Sequence, residues 1–232
     1  LQLPSVDVAE IISNGPVHAV VVDQEHGAIG RREMADLIRV IEGCGKYPLV
    51  RLMSQDENLA RQALDAGCVG LIVPHVESVD SFLEFANECT LPPVGSRSIG
   101  YFRANGYGAD LDGYLGSTGR PILIPMIESQ QGVSIVKELV RSVEPEAVLV
   151  GPYDLSASLG DPGNFSSSSY VEAFESVLKA CQGSKTKAGI HDVSGEAASV
   201  KAQIALGFNF IGCGTDSLFL AKGIRDSIVD DD

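Results

Sequence analysis

Residues 19–27 read Ala-Val-Val-Val-Asp-Gln-Glu-His-Gly. Ala19 to Val22 form a short apolar run that reads as a strand buried on both faces. The run then switches to charge at Asp23, Glu25 and His26, and Gly27 lets the backbone turn. A buried strand that stops on two carboxylates and an imidazole is an unusual setting for polar groups, because burial is costly for each of them.

Working outward, the same alternation of apolar run and amphipathic stretch repeats. Leu1–Leu3, closed by Pro4, reads as the stub of a first strand that lacks part of its length. Ser5 is the expected cap of a helix ending near Asn14-Gly15. After the opening stretch come a helix over 31–44 and a third strand over 47–52, which delivers Arg51. A helix over 58–66 follows, then a fourth strand over 69–73 ending at Pro74 and His75, and a helix over 79–89. Residues 90–120 break the rhythm with a Gly-, Pro-, Ser- and Tyr-rich stretch. An irregular connection of about 30 residues in a compact domain points to function when it carries aromatics and arginines, as GSRSIGYFRANGYG does. The rhythm resumes with a fifth strand over 122–127 ahead of Glu128, and with Ser129 capping a helix. A sixth strand over 147–150 precedes GPYDLSASLG. A helix over 170–181 and a seventh strand over 188–190 lead to His191 and Asp192. A helix over 196–206, an eighth strand over 208–211 and a last helix over 218–228 complete the chain.

Strand–helix alternation with continuously apolar strands predicts an α/β fold with a parallel sheet closed as a (β/α)8 barrel, one domain over residues 1–232. A doubly wound sheet is the alternative, but no GxGxxG follows the first complete strand.

Composition narrows the function. The chain has 232 residues, a net charge of −14 and no cluster of Lys and Arg. That excludes a nucleic-acid footprint, and an anionic substrate would need dedicated local cations. Five cysteines without a CxxC pair read as reduced thiols of a cytoplasmic protein. No apolar run reaches the ~20 residues of a membrane span, and no signal peptide is read at the start. The closing Asp230-Asp231-Asp232 reads as a solvated tail.

In a barrel, the residues just after each strand share one C-terminal mouth. That rule gathers Asp23, Glu25, His26, Arg51, His75, Glu128, Asp154, His191 and Asp192. Glu128 and Asp154 lie one strand–helix unit apart, so their carboxylates can converge on a hard cation such as Mg²⁺ or Mn²⁺. Each residue also has a plainer reading. Asp154 can cap a helical turn at Leu155-Ser156-Ala157. Glu128 resists that explanation because Ser129 already supplies the cap. Arg51 inside VRLM needs an anion, either Glu128 or a substrate carboxylate. His26 alone reads as structural; with Asp23 holding one ring nitrogen it becomes a general base. His75 and His191 have weaker claims, and His18 belongs to the opposite face. No lysine stands at a strand end, so Schiff-base aldol chemistry lacks its nucleophile and a carbanion would need a metal.

The segments DQEHG, VRL, LIVPHVES, GSRSIGYFRANGYG, PMIES and GPYDLSASLG together resemble, in order and spacing, the HpcH/HpaI aldolase family of class II pyruvate aldolases. The resemblance runs from LPSVDVAE to GTDSLFLAKGI. It implies a metal-dependent aldolase that cleaves a 4-hydroxy-2-oxo acid, of the 2-keto-3-deoxy sugar acid type, to pyruvate and an aldehyde. Glu128 and Asp154 would hold the divalent metal, with Mg²⁺ expected and Mn²⁺ or Co²⁺ as substitutes. Arg51 would steady the enolate, and His26, oriented by Asp23, would move the proton. Backbone amides of Gly151, Pro152, Tyr153 and Asp154 would hold the pyruvate carboxylate. The resemblance further implies a homo-oligomer, a hexamer, with the last helix packed on a neighbour. The aldehyde pocket is expected from residues 96–119, with an adjacent subunit contributing. Three positions depart from the family: Met126 where a Gln is common, His75 where a Met is usual, and Ser98 where a Gly is usual. Oxaloacetate decarboxylation, citrate-lyase-like acyl-CoA cleavage and a barrel without catalysis are the alternatives.

Overall fold

The structure is a computed structural model that describes residues 1–116 and 120–228. The acidic tail expected at Asp230–Asp232, and residues 117–119 of the irregular region, lie outside the described residues.

Helix α1 (Val6–Ser13) leads to strand β1 (Ala19–Asp23), α2 (Arg31–Gly43) and β2 (Tyr47–Arg51). Then come α3 (Glu57–Ala66), β3 (Gly70–Val73) and α4 (Val79–Cys89). A 3₁₀ turn over Arg103–Gly108 and the short α5 (Leu111–Gly116) precede β4 (Ile122–Ile127) and α6 (Gln130–Val143). The chain continues through β5 (Ala147–Val150), α7 (Pro152–Ser158), α8 (Ser168–Cys181), β6 (Lys187–Asp192), α9 (Ala197–Leu206), β7 (Phe210–Cys213) and α10 (Asp216–Ser227). The helix starts follow their capping chemistry. Ser5, Asp56, Ser78, Ser129 and Ser167 each accept a backbone N–H from the first turn. Gly67 and Gly207 close α3 and α9 with positive φ of 102° and 110°.

The seven strands form one curled parallel sheet in sequential order, β1 to β7. The parallel α/β architecture is as expected, and among the described residues the sheet has seven strands against the eight expected. Leu1–Leu3 has no strand assignment of its own. It nevertheless runs beside β1: the Leu1 nitrogen donates to the Val21 carbonyl at 2.6 Å, and Asp23 N–H donates to Leu1 O at 2.9 Å. On its other side the backbone N–H groups of Gln2 and Leu3 donate to the two carboxylate oxygens of Asp216, at 2.8 and 2.9 Å. The segment thus links the first strand to the start of α10.

Side chains alternate across this sheet with period two. Val20, Val22, Val50, Leu71, Val73, Val148, Val150 and Ile190 face the helices and join the outer core. Leu49, Ile72, Ile124, Met126, Ala147 and Leu149 fill the concave side. Extending the concave rows to their C-terminal ends gives Asp23, Arg51, Glu128, Gly151 and His191. The strand period itself therefore aims these residues at the mouth.

The described part of the irregular segment, residues 90–116 and 120–121, takes the other end. It joins the end of a helix to the start of a strand, and both lie at the N-terminal face of the sheet. Buried Arg97 donates to Asp65 of α3 at 2.6 Å and to Tyr114 Oη at 3.1 Å, and stacks over Phe102. Arg103 donates to the Ala66 carbonyl and pairs with Glu42 at the end of α2. An aldehyde pocket built from residues 96–119 of the same chain is therefore corrected: the described part packs beneath the sheet, away from the mouth.

Candidate active site

The mouth is organised around Arg51. The register pairs Asp23 with Arg51 across β1 and β2, and the guanidinium grips the carboxylate with both arms. Nε donates to Asp23 Oδ1 at 2.8 Å and Nη2 to Oδ2 at 2.7 Å, the planar fork geometry that favours arginine over lysine. The third nitrogen, Nη1, lies 3.2 Å from Glu25 Oε2. Gln2 adds a donor to Asp23 Oδ2 at 3.1 Å. Asp23 Oδ1 also accepts the backbone N–H groups of Glu25 and His26, at 3.1 and 3.3 Å. Burial pushes the Asp23 carboxyl up, but Arg51, Gln2 and the His26 amide outweigh it and hold the group at about 2.

A depressed acid stabilises the fold in its charged form. That stabilisation is complete above the carboxyl's ordinary value near 3.8 and is lost as pH falls toward 2. Thermal melts between pH 5 and pH 2 are expected to show a falling Tm whose slope in the pH 4 to 2 window is reduced in Asp23→Asn. An unchanged slope would count against this pairing as a source of acid sensitivity.

The expected role of Asp23 toward His26 is corrected. Asp23 shapes the turn through the His26 backbone, not through a ring nitrogen, because both its oxygens are taken by Arg51. The His26 ring is 58 % exposed, with Nε2 4.0 Å from Glu25 Oε2. It stands at the rim, free to meet a substrate.

Opposite Arg51 lies a second group. Glu128 is buried, and its Oε1 accepts the backbone N–H of His75 at 2.6 Å. The His75 ring places Nδ1 3.3 Å from Glu128 Oε1 and Nε2 3.5 Å from Glu25 Oε1. Glu25, His75 and Glu128 can each offer one donor atom within 4.8 Å of the others. Burial raises the Glu128 carboxyl above the usual range, with Glu25 and Asp154 adding repulsion against the help of His75. Burial likewise raises Glu25, against the attraction of Arg51. Two carboxylates lifted by burial, next to an imidazole, are a donor set that fits a divalent cation.

The sequence assigns Glu25 and His75 the weakest roles at this mouth, and the structure brings both together with Glu128 in the three-donor group. The doublet of acids at Asp23 and Glu25 was the available signal for Glu25. Asp154 is exposed in the first turn of α7 and stands outside the three-donor group, although Glu128 feels its charge. It is not the helix cap; Gly151 occupies that position, with Pro152 starting the helix. A Cβ on Gly151 would meet Glu128 Oε2 at 2.8 Å, so glycine lets that carboxylate lie against the backbone. Of the four amides expected to bind a carboxylate, Pro152 has no N–H, and Gly151 N–H reaches the Ile127 carbonyl at 3.3 Å. Tyr153 and Asp154 supply the remaining two, and the Tyr153 ring packs edge-on against Phe165.

His191 is turned inward below the rim, with Nε2 3.3 Å from the Gly214 carbonyl, and burial lowers its pKa. Asp192 is a structural cap: it accepts from Ser194, Gly195 and Ser199. His18 precedes β1 on the opposite face, as expected. Among the described residues, no helix is long and apolar enough to cross a membrane.

Comparison with known proteins agrees with this architecture. A hydroxypyruvate/pyruvate aldolase from Rhizorhabdus wittichii is 30% identical over 234 residues, covering 99% of this chain and 91% of its own. A 2-keto-3-deoxy-L-rhamnonate aldolase from Salmonella gallinarum is 25% identical, covering 94% of this chain and 81% of its own. The crystal structure of an HpcH/HpaI aldolase/citrate lyase family protein from Burkholderia cenocepacia J2315 superposes with a TM-score of 0.92 at 28% identity, covering 98% and 90% of the two chains. The family model described as HpcH/HpaI aldolase/citrate lyase matches residues 1–222, and the chain belongs to that family.

Proposed function

We propose that the protein is a metal-dependent pyruvate aldolase that reversibly cleaves a 4-hydroxy-2-oxo acid to pyruvate and an aldehyde. The observation that carries the reading is the pairing of a fixed guanidinium, Arg51, with the adjoining Glu25, His75 and Glu128 donors at one mouth. An enolate needs positive charge that is already in place as its oxygen becomes negative. Arg51 is such a charge, because Asp23 fixes its orientation before substrate arrives.

Each residue then has a task. His26, exposed at the rim, takes the proton of the 4-hydroxyl, directly or through a water. The C3–C4 bond breaks, its electron pair passes into the enolate of pyruvate, and the aldehyde leaves. Arg51 bonds the enolate oxygen at C2. The amides of Tyr153 and Asp154 orient the substrate carboxylate beside Glu128. The proton taken by His26 is returned, directly or through a water, to C3 and gives pyruvate. Glu128, with Asp154 or with the Glu25–His75 side, would hold the divalent cation, which would supply Lewis-acid stabilisation of the developing oxyanion. The aldolase names of the relatives support this chemistry, and the sugar-acid relative supports the 2-keto-3-deoxy class. Acyl-CoA cleavage gains no support, since Arg97 and Arg103 are tied to Asp65 and Glu42 at the far end. A cytoplasmic setting is part of the proposal. Cys68 and Cys89 are buried, which pushes their thiols up to about 12.

A panel of 4-hydroxy-2-oxo acids assayed by coupled pyruvate detection, with chelated and metal-restored protein, tests the reading. Metal-restored pyruvate release from at least one sugar-acid member is expected. Equal activity in chelated protein would sink the metal-dependent mechanism, and no cleavage of any member would sink the substrate class.

We also propose a homo-oligomer. Among the described side chains of α10, only Asp216 is buried. Leu220 and Ile224 are exposed and lie on one face at i, i+4 spacing. The neighbouring α9 has no buried residue and exposes Ile204 and Leu206. Apolar faces this bare suit a second copy of the chain. Light scattering coupled to size exclusion is expected to give a multiple of the chain mass for the wild type and a smaller species for Leu220→Glu/Ile224→Glu. A monomeric wild type would refute the oligomer.

A further inference from the structure

A second concave site lies at the opposite end of the sheet from the mouth. Helices α6 and α8 pack side by side, and both end at the N-terminal face, where the chain turns into β6. Between these ends runs a cleft of about 760 Å³, a size that suits a small molecule. Neither α9 nor α10, the helices assigned above to a second copy, lines it. Four cations do: Lys137 and Arg141 from α6, Lys179 from α8, and Lys185 from the loop before β6. No basic run in the sequence announces them. Against the one carboxylate of Glu144, they give the cleft three net positive charges in a chain whose net charge is −14.

Among the described residues, none of the four cations has an ion-pair partner. Helix dipoles account for two of them, since Arg141 and Lys179 sit in last turns, where positive charge is favoured. Lys137 stands one turn before Arg141 at i, i+4 spacing, where like charges repel. Lys185 lies beyond the helix altogether. The cleft also holds an unsatisfied polar group. Thr186 lines it and is only 4 % exposed, yet its Oγ1 meets no hydrogen-bond partner. A hydroxyl buried in this way opposes folding, and a valine of the same shape would not. The residue is held firmly: its N–H donates to Ser184 Oγ at 3.1 Å, and Ser184 Oγ donates to the Cys181 carbonyl at 2.8 Å.

We propose that this cleft binds a small, multiply charged phosphate compound, with Lys137, Arg141, Lys179 and Lys185 around its oxygens and the Thr186 hydroxyl donating to one of them. Unpaired cations and an unpartnered donor around one small space match a compact ligand that brings several negative oxygens at once. An extended polyanion matches less well. Nucleic acid needs a track of cations along its backbone, and beyond the cleft the acidic excess of this chain would repel it. The occupant is not the aldol substrate, because the groups assigned to that chemistry lie at the other end of the strands.

Titration calorimetry of the full-length protein with pyrophosphate, in chelator and at physiological ionic strength, tests this without any turnover. One pyrophosphate per chain is expected for the wild type. The double variant Lys179→Glu/Lys185→Glu changes only exposed side chains and is expected to weaken binding by about 100-fold. Thr186→Val leaves every charge in place and is expected to weaken it by about 10-fold, with a thermal midpoint no lower than that of the wild type. Absence of binding to the wild type would overturn the proposal. Equal binding in both variants would place the anion elsewhere, the Arg51 mouth included, and would overturn it too. Binding that falls with the charge variant but not with Thr186→Val would reduce the cleft to a diffuse basic patch and overturn the built site. A single-stranded oligonucleotide that binds more tightly than pyrophosphate, and loses affinity in the charge variant, would overturn the small-ligand assignment.

Discussion

Arg51→Met is expected to abolish pyruvate release and to lower stability by about 3–5 kcal/mol, the usual consequence of leaving a buried partner charge uncompensated. Asp23 is buried, and both of its oxygens depend on the guanidinium. Glu25 loses its nearest cation at the same time. Arg51→Lys separates the two effects. A lysine keeps a positive charge and much of the stability, but it cannot grip Asp23 with two parallel bonds or point a third N–H at the substrate. Its kcat is expected to fall by about 10²–10³-fold, the range seen when one oxyanion donor is removed. Denaturant melts and coupled pyruvate assays on both variants check this. A lysine variant with wild-type kcat would show that Arg51 serves only the fold.

Glu128→Gln is expected to give the opposite pairing of outcomes. Activity should fall by about three orders of magnitude, corresponding to several kcal/mol of lost Lewis-acid assistance. Stability should hold or rise. Burial raises the Glu128 carboxyl, so its charged form opposes folding at neutral pH, and a neutral amide of the same shape removes that penalty. The His75 amide keeps an oxygen to donate to, as it does now at 2.6 Å. A variant both inactive and no less stable in thermal melts would mark Glu128 as a group retained for chemistry. A large loss of stability would instead assign it a structural role.

The strands and their end residues were legible because two simple periods agree. Continuous apolar runs named the strands, and the two-residue alternation within them aimed Asp23, Arg51 and Glu128 inward. The convergence of these three on one mouth needed nothing more than the barrel rule. Other features depended on geometry that residue types do not announce. His75 reaches Glu128 only because its φ is positive, at 52°, and neither glycine nor asparagine marks the position. Asp23 binds Arg51 in preference to the His26 ring because strand register sets them side by side, a pairing that sequence spacing alone leaves open. The placement of the described part of residues 90–121 follows from chain order alone. A segment between a helix and the next strand must start and end at the N-terminal face, whatever aromatics and arginines it carries. Leu1–Leu3 bonds to β1 on one side and to the start of α10 on the other, contacts that residue types do not announce.

The left-handed backbone at His75 has a consequence for how this sequence can drift. Glycine at that position would relieve the steric conflict and, judged by folding alone, would be an improvement. A library screened only for heat resistance is therefore expected to enrich glycine or asparagine at position 75. A library screened for metal-dependent turnover is expected to keep the histidine. The two selections would pull this one codon in opposite directions, so a heat-hardened descendant of this protein would be the wrong template for recovering its turnover.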